Sequence, residues 1–197
     1  MTSRERRMSS KGSFKAWNDY ILSIPRPPIE KLIWGSEYSK LSILLVEPRN
    51  HEWLQGILYN ICHIYGGTEV QLYVFHGIDN YKLVREITKD FENVNFFNLN
   101  INDFQPYPYE HSKYFCSNNL WDKINSEFVL TITTTSLLRK KIEDFYFNFS
   151  YTGAPWKNGG VGNGGFSLRK TKDMVKICEK VNYEKRFLEG FILEDIF

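Results

Sequence analysis

Between positions 41 and 134 the chain alternates short apolar, β-branched runs with segments of helical spacing, and this alternation limits the fold more than any other feature. Apolar runs at 42–47, 70–75, 94–99 and 128–134 each have the length and composition of a buried strand. Positions 50–65 carry Trp53, Ile57, Leu58, Ile61 and Ile64 at helical spacing and stop at Gly66-Gly67. Positions 81–91 turn Leu83, Val84 and Ile87 inward, and 118–124 reads as a short helix. The stretch 100–114 is polar, aromatic and interrupted by two prolines, so it reads as a loop. Strands alternating with helices predict an α/β domain, a three-layer sandwich around a mostly parallel sheet.

In such sheets ligands bind beyond the carboxyl ends of the strands. That rule selects 47–50, 76–80 and 133–138, and with them Glu47, Arg49, His76 and Asn80. Upstream, 1–15 reads as a disordered basic tail and 16–40 as an arm broken by Pro25, Pro27 and Pro28. The domain proper is expected over 41–197.

Composition excludes several classes. With 25 Lys and Arg against 23 Asp and Glu, the net charge of +2 lacks the basic excess of a dedicated nucleic-acid binder. No apolar run reaches the roughly 18 residues of a membrane helix, so no membrane partner is expected. The N-terminus lacks the apolar stretch of a secretory signal. Cys62, Cys116 and Cys178 are odd in number and far apart, which points to a reducing, cytoplasmic compartment.

The densest chemical signal lies in the C-terminal third. Tyr151-Thr-Gly-Ala-Pro-Trp156 precedes five glycines within 159–165, then Phe166-Ser167-Leu168 resumes a strand and Arg169 follows. Positions 170–181 read as an amphipathic helix through Met174, Ile177, Cys178 and Val181. A glycine turn that lets a ligand approach the backbone, beside an arginine, suits a sugar or a phosphate. The spacing of a phosphate loop is absent. A glycine hairpin without a ligand fits the same residues.

GAPW, a short insert and VGNGGFSLRK together resemble the signature of a family of glycosyltransferase-like domains of unknown function, similar to the GT-A nucleotide-sugar transferase fold. The resemblance continues in LLVEPRNHEWL, LYVFHGIDN, SNNLWDKINSEFVLTITTTSLL and EGFILEDIF, and so covers about 41–197. It implies a nucleotide-sugar donor and a glycan or other hydroxyl acceptor. Glu47 and Arg49 would sit beside the nucleoside, with Arg49 also meeting a phosphate, and His76 and Asn80 would line the same edge. Gly162, Asn163, Gly164 and Gly165 would donate to sugar or phosphate, Arg169 would shape the sugar site, and Trp156 would form an apolar wall. Asp195 is the first choice for the base that takes the acceptor's proton, and Glu194 the second.

The chain departs from the family pattern in two places. Where the family carries a metal-binding Asp at the end of its central strand, this chain has Thr135. A hydroxyl is a poor ligand for Mg²⁺ or Mn²⁺, so no cofactor is certain. Arg49, Arg139, Lys140 and Arg169 are the cations that could replace the metal's charge. The resemblance also implies a covering helix or loop after Asp195, so the domain is expected to be short at its C-terminus. These departures leave a second reading open: a degenerate, non-catalytic module that binds a nucleotide sugar or glycan.

Overall fold

The computed structural model describes residues 3–105, 109–155 and 163–180. Its centre is β1 (Ser39–Glu47), buried along nearly its whole length. A strand covered on both faces reads as a continuous apolar run, which is why 42–46 lack polar alternation. β1 pairs in parallel with β2 (Gln71–His76) on one side and β4 (Ser126–Ile132) on the other. β2 pairs in parallel with β3 (Val94–Asn98). β6 (Asn163–Lys170) runs antiparallel to β4, and β5 (Tyr151–Ala154) antiparallel to β6. The order is β3-β2-β1-β4-β6-β5, a six-stranded and mostly parallel mixed sheet, as the alternation predicts.

Successive strand residues feed two separate cores. Ile43, Leu45, Leu72, Val74, Leu130 and Ile132 face α2 (Leu54–Tyr65) and α3 (Tyr81–Ile87). Leu44, Val46, Tyr73, Phe75 and Val129 face α4 (Tyr109–Phe115), α5 (Asn118–Trp121) and α6 (Thr171–Lys180) through Phe115, Trp121 and Met174. Each fully buried side chain of this size contributes roughly 1.5–3 kcal/mol. The sheet thus has helices on both faces.

At the N-terminus the chain forms α1 (Ser3–Ser23), which takes in the first part of the arm. What organises its C-terminal half is packing rather than amphipathic pattern. Ile21 is fully buried, Trp17 meets Trp53 edge-on at 6.3 Å, and Asn18 Oδ1 accepts from Trp53 Nε1 at 2.7 Å. Gly56 permits this approach, since a Cβ there would stand 2.3 Å from the Ile21 carbonyl oxygen. The expected loop over 100–114 likewise contains most of α4, which forms because Phe115 finds a buried seat against Trp121. Among the described residues no helix is long and apolar enough to cross a membrane.

Candidate functional site

From β1 the chain moves outward to β2 and β3, then returns to place β4 on the other side of β1. The strand order therefore reverses at β1, and the carboxyl edge beside β1 and β4 is the topological switch point where α/β sheets hold ligands.

Glu47 ends β1 at this opening and is only 4% exposed. Its Oε1 accepts from Arg49 N at 3.1 Å and Arg49 Nε at 2.8 Å. Its Oε2 accepts from Arg49 Nη2 at 3.0 Å and from Thr134 Oγ1, at the end of β4, at 3.1 Å. The carboxylate thus bridges the ends of β1 and β4, and the two-point fork is the strong geometry for this ion pair. The Arg49 side chain is half exposed, so it carries the pair out to the crevice mouth.

Asn80 and His76 stand at the same edge, with their side chains committed to the main chain. Asn80 is fully buried. Its Nδ2 donates to the carbonyls of Glu47 and Arg49 at 2.7 and 2.8 Å, and its Oδ1 accepts from Gly77 N at 2.8 Å. His76 Nδ1 lies 2.8 Å from the Gly77 carbonyl, and its ring stacks obliquely on Tyr81 at 5.0 Å. Gly77 must be glycine, because a Cβ there would stand 2.2 Å from Pro48 O and 2.5 Å from Ile101 O.

At the end of β4, Thr133 Oγ1 lies 3.1 Å from Thr135 Oγ1 and 3.3 Å from Ser136 Oγ. Thr135 and Ser136 open into a cavity of about 950 Å³ that Trp17 and Tyr20 of α1, His63 of α2 and Arg139 also line. This donor set does not fit a hard divalent cation, which prefers charged or carbonyl oxygen. Among the described residues no group of three or more His, Cys, Asp or Glu is arranged to hold a metal.

Arg169 lies on the α4–α6 face of β6, 1% exposed. Its Nε donates to Ser167 Oγ at 2.9 Å and its Nη2 to the Gly164 carbonyl at 3.4 Å. The guanidinium sits over the rings of Phe115, Tyr151 and Trp121 at 5.2, 5.4 and 5.8 Å. The glycines that precede the arginine in sequence thus enter β6 with it, and Arg169 contacts Gly164 within that strand. Burial lowers the Arg169 pKa from its ordinary value.

His111 was not singled out by any spacing in the sequence. It enters the site through α4, between the rings of Phe104 and Phe115 at 5.2 and 4.8 Å. Burial first, then the charge of Arg169, lowers its imidazole to about 4, with Glu47 opposing and Arg49 adding to the shift. A neutral imidazole therefore stands within electrostatic reach of both the β1 ion pair and the β6 arginine. Only the folded α4 could have revealed it.

Of the remaining sequence candidates, Trp156, Gly162, Glu194 and Asp195 lie outside the described residues. Gly164, Gly165 and the backbone of Asn163 belong to β6.

Residues 93–197 match the model of a family described as protein of unknown function, DUF5672. The chain belongs to this family. The DUF5672 match takes in the hydroxyl cluster, Arg139, the glycine turn, Arg169 and His111, and begins after Glu47, Arg49, His76 and Asn80. No curated protein and no solved structure matches the chain.

Proposed function

We propose that this DUF5672 protein transfers a sugar from a nucleotide sugar to an acceptor hydroxyl, on a GT-A type scaffold and without a carboxylate-held metal. The observation that carries the reading is the convergence of Glu47, Arg49 and the Thr133–Ser136 hydroxyls at the switch point of a mostly parallel sheet. Arg49 would meet the nucleoside and phosphate, Glu47 orienting its fork. Arg139, which lines the same cavity as Thr135, would offset the charge of the leaving diphosphate. The contact of Arg169 with Gly164, at the start of β6, supports a sugar or phosphate subsite there. Through the resemblance, Asp195 would take the acceptor's proton as its oxygen bonds to the anomeric carbon and the nucleoside diphosphate leaves.

One observation favours a second reading. Thr135 is held by the Thr133 hydroxyl where the resemblance expects a carboxylate, and a relative that lost turnover would show this. On that reading the chain binds a nucleotide sugar or glycan and releases it unchanged.

Thermal shifts against a panel of nucleotide sugars, with and without Mn²⁺, test the proposal. A donor at 100 times its dissociation constant adds about 2.7 kcal/mol, or roughly 5–10 °C for a chain of this size. A metal-independent shift with release of nucleoside diphosphate supports the transferase. A shift without release supports the binding module. A folded protein that shifts with no donor overturns both.

A further inference from the structure

The segment 139–149 leaves the switch point and, beyond Arg139, carries an aromatic turn and cations that the proposed transfer does not use. Asp144–Asn148 form a 3₁₀ turn in which only Phe147 faces inward, packing edge-on against Phe128 at 5.0 Å beneath Lys40 Nζ at 4.3 Å. The neighbouring aromatics face water. Phe145 is 63% exposed, Tyr146 38% and Phe149 45%. They nevertheless cluster, with ring centroids 5.7 Å apart for Phe145–Tyr146 and 5.3 Å for Phe145–Phe149. Apolar area left in water forfeits about 25 cal/mol per Å², so a clustered set of large rings marks an interaction surface.

The flanking chemistry specifies the partner. Arg139, Lys140 and Lys141 precede the turn and are all exposed. Lys140 is paired with Glu143, and Asp144 accepts from Lys40, so the local acids are already engaged. Between the basic run and the turn lies a cleft of about 440 Å³, walled by Leu130, Ile142, Tyr146, Phe166 and Leu168 and lined by all three cations and by Glu143, which Lys140 pairs. Phenyl and phenol rings partition to the headgroup level of a bilayer, and Lys and Arg are drawn to an anionic leaflet. An apolar cleft with a net basic rim also offers space for a chain attached to an acidic headgroup, which an acidic protein surface would not need.

We propose that the face formed by Phe145, Tyr146 and Phe149 together with Arg139, Lys140 and Lys141 docks peripherally on an anionic lipid bilayer. Such docking needs no spanning helix, and it does not depend on the transferase reading. The test is co-sedimentation of the full chain with phosphatidylcholine vesicles, either pure or containing about 30 mol% phosphatidylserine, in about 0.1 M salt. The protein is expected on the anionic vesicles and not on the neutral ones. Since each basic residue is drawn to the anionic surface, R139Q/K140Q/K141Q should weaken binding at least tenfold. F145S/F149S, which removes rings the core does not use, should weaken it by a similar factor at an unchanged melting temperature. R4Q/R6Q/R7Q/K11Q controls for the basic N-terminus and should bind as the parent does. Folded protein that ignores both vesicles overturns the proposal and leaves the face to an acidic protein partner. Binding that survives F145S/F149S, or that is lost only in the N-terminal variant, overturns it as well.

Discussion

Glu47 and Arg49 are two residues apart, yet the first is buried and the second half exposed, and they meet through a fork of 2.8 and 3.0 Å. The short Glu47-Pro48-Arg49 bend turns the arginine back onto the strand end that it has just left. A surface ion pair contributes little, but here the carboxylate has been taken out of water and depends on its partners. The pair therefore holds the shape of the crevice as much as it offers charge to a ligand.

Arg49→Met leaves the buried carboxylate with Thr134 and one backbone amide. Because the arginine is partly exposed, the loss should be about 2 kcal/mol rather than the full cost of a buried pair. Thermal unfolding should show a fall of roughly 4–8 °C. The double variant Glu47→Gln/Arg49→Met should recover part of it, since the charge that needed a partner is gone.

Asn80→Ala removes three bonds at once from a fully buried side chain. The carbonyls of Glu47 and Arg49 and the amide of Gly77 would all lose a partner, at about 3 kcal/mol or more. Urea unfolding should register this as a lower midpoint at constant slope. Asn80→Asp should be no better, because it sets a carboxylate against two carbonyl oxygens.

His111 makes stability depend on pH. Its folded value of about 4 lies below the ordinary 6.5, so the unfolded chain binds the extra proton first. The contribution is fully present above pH 6.5 and is lost as pH falls through about 4, about 3 kcal/mol in all. His111→Phe, placed between the rings of Phe104 and Phe115, should flatten melting temperature against pH in this window.

Arg169 separates packing from binding. Methionine fills much of the same volume against Phe115, Trp121 and Tyr151, and removing a buried charge often leaves stability unchanged or raised. Arg169→Met should therefore melt within a few degrees of the parent while losing the thermal shift produced by a nucleotide sugar. A large drop in melting temperature would assign Arg169 a purely structural role.

Thr135→Asp tests the missing metal ligand directly. The parent's response to a nucleotide sugar should be indifferent to Mn²⁺. The variant should gain a further shift that appears only when Mn²⁺ and the donor are both present, read by the same thermal assay.

Much of the architecture is legible in the residues themselves. β1, β2 and β4 announce themselves as apolar runs because both faces of the sheet are covered there, β3 through Phe96 and Phe97 of a half-buried edge strand, and α2 and α6 because one face of each is apolar. α4 is not legible. Its Tyr109-Glu-His-Ser-Lys-Tyr-Phe115 stretch has weak periodicity, and it becomes a helix because Phe115 and Ser112 are buried by the sheet and α5. The same holds for the C-terminal half of α1, whose docking rests on Trp53 and Gly56, far along the chain.

The site divides in the same way. Rules about strand ends select Glu47, Arg49, His76, Asn80 and the β4 hydroxyls from sequence, because chain direction and strand position are encoded locally. What each side chain does there is decided by distances between segments that the sequence does not relate. Asn80 could have faced a ligand and instead ties two loops together. Thr134 lies in a loop that the rule selects, but only the fold shows that it bonds Glu47 across 87 positions. His111 reaches the site only because α4 folds across the sheet. Local pattern is set by short-range propensity and burial, which the chain carries in its residue order. Hydrogen-bond partnership and electrostatic environment arise only once the sheet has brought β1, β4 and β6 side by side.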